Sequence, residues 1–333
     1  MTIRERITSC VAAALALTLA GAAHAQAKKE VIFAHQDMVV PFRALIDSGE
    51  LEKTTGYKIS WKKFTGGGDV IRAMASGDVQ IGEVGSSPAA AAASQGMDVQ
   101  VFWILDDIAN AEQLVARNGS NVNSVADLKG KKIGVPFVST THYQLLFALK
   151  DAGVDPKSAT VLNMRPPEIA AAWERGDIDA TFVWNPALAR VKQNGKVLVS
   201  AGDIAKKGTP TFDAIMVSTK WAAENKDFMV ALVKALAAKD AEYKANKAKW
   251  TADSAEAKSV AKISGAEVKN VPDALADYNF LSLDEQASPA WLGGGVAKAL
   301  ADTSAFLKEQ GRVTEVAPDY GKFVTDAYVK AAK

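Results

Sequence analysis

Residues 74–88 read M-A-S-G-D-V-Q-I-G-E-V-G-S-S-P, and residues 173–186 read W-E-R-G-D-I-D-A-T-F-V-W-N-P. The two stretches are one phrase written twice. In each, a helix closes at Gly77 or Gly176, where glycine takes the left-handed C-cap conformation without a Cβ clash. A short alternating strand follows. A polar residue with Pro88 or Pro186 then opens a new helix, because proline is pre-organised for the first turn. Two α/β units thus each run a strand's C-terminal end into a helix N-terminus. Helix N-termini attract anions, and ligands of open α/β sheets sit beyond the strand C-ends. The duplication points to two lobes closing on one small anionic ligand.

The rest of the chain extends this pattern. Strands are predicted at 30–34, 58–62, 79–83 and 99–105, then at 113–117, 132–135, 159–162, 178–184 and 197–200, with helices between most of them. Alternating β and α elements predict mainly parallel sheets with helices on both faces. After a last strand at 212–218 the chain turns almost wholly helical, with helices at 227–250, 255–263 and 296–310 and a capping box at Ser282-Leu283-Asp284-Glu285. The organisation expected is one lobe from residues 26–108 plus 213–333 and a second lobe, 109–212, inserted between them. The chain crosses near 106–110 and again near 208–213, and without a Gly/Ser/Pro-rich linker the crossings should be short hinge strands.

Residues 1–25 carry Arg4 and Arg6, an apolar run from Val11 to Ala20, and Ala23-His24-Ala25. This predicts a secretory signal peptide cut near Ala25, the run being too short to span a bilayer. Its removal leaves equal numbers of acidic and basic residues and no cysteine, since Cys10 is the chain's single one. Neutral charge argues against nucleic acid and anionic membranes as partners. A disulfide framework, a thiol nucleophile and a His/Cys metal cluster are excluded, and no cofactor is expected.

Residues 73–95 (A-M-A-S-G-D-V-Q-I-G-E-V-G-S-S-P-A-A-A-A-A-S-Q), 135–143 (V-P-F-V-S-T-T-H-Y), 173–187 and 306–311 (F-L-K-E-Q-G) resemble the periplasmic taurine-, sulfonate- and nitrate-binding proteins that serve ABC importers. The likeness runs over nearly the whole chain past residue 25. It implies a type II solute-binding fold, with two α/β lobes on a two-strand hinge and the ligand in the cleft. It also implies taurine or a related small sulfonate as ligand, a membrane permease and cytoplasmic ATPase as partners, and a periplasmic monomer.

Taurine carries a sulfonate two carbons from an ammonium, so its site needs neutral donors at one end and a carboxylate at the other. Ser86 and Ser87 precede Pro88 at a helix start, and Ser139-Thr140-Thr141-His142 runs from a strand into a helix. One cap would use one of these residues; the surplus makes Ser86, Ser87, Thr140, Thr141 and His142 the sulfonate candidates. The ammonium has two candidates. Asp213 stands inside an apolar strand, where a carboxylate is unexpected without a partner, and Glu112 opens a strand at the other crossing. Gln36 and Trp184, each ending a strand, should line the cleft, Trp184 against the methylenes or the ammonium. Gly66-Gly67-Gly68 offers backbone N–H groups to an anion but lacks the Lys-Ser/Thr of a P-loop. Asp106-Asp107 and Asp177/Asp179 read as solvated turns.

A different alkanesulfonate or an aminoalkylphosphonate is the alternative ligand. An exported hydrolase, with His142 as base and Ser139 or Thr140 as nucleophile, is the alternative from another class. No G-x-S-x-G elbow and no dinucleotide fingerprint supports an enzyme.

Overall fold

A computed structural model describes residues 29–333; the predicted signal peptide lies outside them. Ten strands form two five-stranded sheets. They are β1 (Glu30–His35), β2 (Lys58–Lys63), β3 (Ile81–Gly85), β4 (Val99–Asp107), β5 (Glu112–Arg117), β6 (Lys132–Val135), β7 (Thr160–Asn163), β8 (Ala180–Trp184), β9 (Gly195–Ser200) and β10 (Phe212–Ser218). The first sheet has the order β2-β1-β3-β10-β4 and the second β7-β6-β8-β5-β9. Each copy of the repeated phrase supplies the central strand of one sheet, β3 or β8. Gly77 and Gly176 take φ values of +83° and +78°, the backbone that only glycine adopts without strain.

The sheets are mixed, which corrects the expectation of mainly parallel pairing. β1 runs parallel to β3, and β6 runs parallel to β7 and β8. β10 is antiparallel to both of its neighbours, and so is β5. These two are the strands that follow the crossings. A chain arriving from the opposite sheet enters at the end where the parallel strands finish, so it must run back against them. The register records the entry points: Asp213 lies opposite Gly85, the last residue of β3, and Glu112 opposite Trp184, the last of β8. Topology therefore delivers one carboxylate to the cleft end of each sheet.

Val101, Phe102, Trp103, Ile104 and Leu105 are all buried, as a strand covered on both faces requires. β4 is nevertheless an edge strand, and the helical C-terminal region covers it. The Gln286 amide accepts from Ile104 N–H at 3.0 Å and donates to Ile104 C=O at 2.6 Å. Asn279 exchanges two backbone hydrogen bonds with Asp107, and Val324 bridges Val101. These contacts satisfy groups that would otherwise template a further strand, and they carry Tyr278 to the cleft. Among the described residues no helix is long and apolar enough to cross a membrane.

Candidate functional site

One cavity lies where the ends of β1, β3 and β8 meet the starts of β5 and β10. Its lining residues are Gln36, Met38, Gly67, Gly85, Pro88, Glu112, Ser139, Thr140, Trp184, Asp213 and Tyr278. Its volume is about 10 Å³, the room of roughly one water. Five predicted residues, Gln36, Glu112, Thr140, Trp184 and Asp213, line it from both sheets. Ser86, Ser87, Thr141 and His142 are buried beside it without lining it. Helical geometry separates the two groups: Gly85 and Pro88, three positions apart, face the cavity together, and the intervening serines turn away. Ser86 Oγ accepts instead from Phe212 N–H at 3.5 Å. Thr141 Oγ1 lies 2.9 Å from Ser139 Oγ. The His142 ring stacks on Phe137 at 4.4 Å with its Nε2 buried and unpartnered, and burial lowers its pKa to about 4.

Three helices start at the cavity wall: Gly67–Ala75, Ser86–Ser94 and Thr140–Asp151. The first two have no side-chain cap, whereas Ser139 Oγ accepts from His142 N–H in the third. First-turn N–H groups have no acceptor within their own helix, and each start carries a partial positive charge of roughly half a unit. The second phrase copy predicts a further helix start at Pro186. The structure gives that copy only a five-residue helix, Ala187–Val191, and uses its strand's last residue, Trp184, instead. The Trp184 indole donates to Asp37 Oδ1 at 3.0 Å, joining the two sheets.

The carboxylates stand at these helix starts: Asp213 lies across from Gly85, which precedes Ser86–Ser94, and Glu112 meets Thr140, the first residue of Thr140–Asp151. Glu112 accepts from Thr140 Oγ1 at 2.5 Å and from Gln144 Nε2 at 3.0 Å. Burial and the charge of Asp213 raise its pKa well above the ordinary range, against the pull of those two bonds. Asp213 is pushed up to about 7 by burial and by the charge of Glu83. No lysine, arginine or histidine is among the described lining residues. Among the described residues, no group of three or more His, Cys, Asp or Glu is placed to hold a metal.

Two further features escaped the sequence. Arg43, fully buried, forms a two-pronged pair with Glu83 at 2.6 and 2.7 Å and donates from Nε to Met38 C=O at 3.1 Å. Glu83 in turn accepts from Gln36 N–H at 3.1 Å, while Gln36 Nε2 donates to Glu83 C=O at 3.2 Å. This pair fixes the cleft end of β1. Its signal was present: Glu83 interrupts an apolar strand as Asp213 does. The second feature corrects a reading. Asp106 is no solvated turn; it is fully buried in β4 and lies opposite Asp213.

Gly85 sets how closely the two sides approach. A Cβ there would lie 2.7 Å from Thr140 Cγ2 and 3.2 Å from Asp213 Oδ1. Gly85→Ala is expected to weaken ligand binding about tenfold or more, overpacking of this kind costing about 1–3 kcal/mol. Small-angle scattering should show that the variant no longer contracts on ligand addition. Wild-type contraction and affinity would mean that the contact does not limit closure.

Two α/β layers with a small polar cavity between them define the class of protein. The chain belongs to the NMT1/THI5-like family, whose model matches residues 53–247. It is 39% identical over 300 residues to the taurine-binding periplasmic protein of Escherichia coli K12, which spans 90% of this chain and 92% of that one. The fold matches the periplasmic aliphatic sulphonate binding protein SsuA from Escherichia coli, with a TM-score of 0.71 at 22% identity over 89% of this chain and 92% of that one. It also matches the desulfurization enzyme DSZB, with a TM-score of 0.63 at 13% identity over 91% and 98% of the chains. The fold thus serves both binding and catalysis, and the choice rests on the site.

Proposed function

We propose that this chain is the periplasmic substrate-binding component of an ABC importer for taurine or a close sulfonate, delivering it to a membrane permease coupled to a cytoplasmic ATPase. One observation carries the reading: a single cavity brings three helix starts and two carboxylates together, with no basic side chain among its described lining residues. Helix starts suit an anion that needs several neutral donors, and carboxylates suit an ammonium. A molecule bearing both charges a few ångströms apart satisfies both kinds of group together. The identity to the taurine-binding protein of Escherichia coli supports the same ligand.

In this reading the described residues up to 108 plus 213–333 move as one lobe and residues 109–212 as the other. The strands entering β5 and β10 form the hinge. A cavity of about 10 Å³ admits the ligand only when the lobes separate, and closing expels water from both charged ends. Asp213 holds the ammonium, with Glu112 facing it. The first-turn N–H groups, including those of Ser86, Ser87, Thr140 and Thr141, hold the sulfonate. Trp184 walls the methylenes. His142 supports the site through its backbone and its stack on Phe137.

An exported hydrolase fits less well. The Thr140 hydroxyl is committed to Glu112, the Ser139 hydroxyl donates to Pro136 C=O, and His142 is held neutral with no partner on Nε2. The proposal is tested by calorimetry. At pH 8 taurine is expected to bind at least about tenfold more tightly than ethanesulfonate, because the amine-free ligand leaves a buried carboxylate unpaired. Ammonium binding requires ionised Asp213, whose pKa burial and the Glu83 charge push up to about 7. Below that pH binding must drive off a proton, so taurine affinity falls as pH drops from 7, by up to about tenfold per pH unit. Equal affinities for the two ligands, or a flat profile, would refute the carboxylate–ammonium pairing.

A further inference from the structure

β10 and β4 pair with a one-residue irregularity at the cleft. Ala214 lies opposite Ile104, but Asp213 lies opposite Asp106, so Leu105 is skipped. Regular pairing would set Leu105 against Asp213. The bulge replaces a leucine by a carboxyl at the strand pair's cleft end, a re-aiming common beside functional sites. Residues directly opposite in an antiparallel pair have Cβ atoms about 4.5–5.5 Å apart, so the two carboxyls meet.

Asp106 is fully buried, and among the described residues no N–H or O–H donor reaches either of its oxygens. Its neighbour across the strand pair is the Asp213 carboxyl, directly opposite. Two buried carboxylates set face to face repel, and a proton on one of them turns that repulsion into a hydrogen bond. The surroundings decide which group keeps it. Glu83, Asp107 and Asp213 bear on Asp106, and all would repel a second negative charge. Asp213 additionally feels Arg43 and opens on the cavity, where Glu112 and Tyr278 face it. An isolated buried charge without donors is the costliest arrangement available, and protonation removes it.

Resting on the taurine reading above, we propose that Asp106 keeps a proton through the neutral range and donates it to Asp213, so that Asp213 alone of the pair meets the ligand's ammonium as an anion. Asp106 is then a positioning residue. It fixes the rotamer of Asp213 and lets that carboxylate ionise without doubling the buried charge. Burial and the neighbouring carboxylates raise the Asp106 pKa well above the ordinary value, in agreement with this assignment.

The proton is tested for directly in the ligand-free protein. Carboxyl carbon resonances are followed by NMR from pH 5 to pH 8 and assigned by their loss in Asp106→Asn and Asp213→Asn. The Asp106 signal should stay at its protonated position while that of Asp213 titrates near pH 7. An ionised Asp106 at pH 7 would overturn the proposal, whether or not taurine binds. Wild-type protein that binds no taurine would instead overturn the functional reading and leave the proton assignment standing. Taurine calorimetry supplies the second arm. Asn at position 106 keeps a donor toward Asp213, so Asp106→Asn should bind within about threefold of wild type. Asp106→Val removes the donor; it should lose about tenfold or more and move the pH midpoint of binding upward, one hydrogen bond to a charged group being at stake. Asp106→Asn failing as badly as Asp213→Asn, or Asp106→Val keeping wild-type affinity and pH profile, would also overturn it.

Discussion

Asp213→Asn is expected to weaken taurine binding by about 100-fold or more while leaving ethanesulfonate within about threefold of wild type. Removing one member of a buried hydrogen-bonded charge pair costs about 2–5 kcal/mol, and about 1.4 kcal/mol is tenfold in affinity. The substitution is nearly isosteric, so the cleft keeps its shape and only the charge is lost. Stability should move the other way. With its pKa raised to about 7, ligand-free Asp213 holds a proton in the folded state that the unfolded chain releases above pH 4. Wild-type stability therefore declines as pH rises from about 4 through 7. The Asn variant escapes that decline. Its ligand-free Tm should exceed that of wild type at pH 8 and converge on it near pH 4, as differential scanning calorimetry would show. Parallel loss of both ligands, or a lower Tm at pH 8, would make Asp213 a structural residue and leave Glu112 to hold the ammonium.

The second large effect falls on the Arg43–Glu83 pair. Arg43→Met should destabilise the protein by about 3–5 kcal/mol, because it strands a buried carboxylate whose guanidinium partner sat at 2.6 and 2.7 Å. At roughly 2–4 °C per kcal/mol for chains of 150–250 residues, the fall in Tm should be on the order of 10 °C. Adding Glu83→Leu removes the orphaned charge and should recover much of the loss, since apolar replacement of a buried pair is often neutral. Ligand affinity should not recover with it. Gln36 loses the Glu83 acceptor for its backbone N–H, and the cleft end of β1 loses its register. A double variant that regains both Tm and affinity would assign the pair to stability alone.

The sequence marked the strand ends more clearly than the side chains there. Gly77 and Gly176 located β3 and β8, and the crossings placed Glu112 and Asp213, because helix caps, apolar runs and misplaced charges are local signals. Gln36, Thr140 and Trp184 followed from the same punctuation. Sheet direction was not readable, since β5 and β10 show the same alternation in either sense and only the crossing decides it. Asp106 looked like a turn because a bulge is a property of two paired strands, and a single strand's sequence does not display it. Tyr278 reaches the cavity through Asn279–Asp107 and Gln286–Ile104 contacts that span much of the chain. Ser86, Ser87, Thr141 and His142 were named as surplus polar residues at two helix starts, and helical rotation decides which members of such a cluster line the cavity.

The most direct test offers the protein a choice. Native mass spectrometry is recorded after incubation with an equimolar mixture of taurine, ethanesulfonate and nitrate at pH 8. The bound species should carry the mass of one intact taurine per chain, which on release is recovered unchanged. Preferential capture of ethanesulfonate or nitrate, or release of a chemically altered product, would contradict the account.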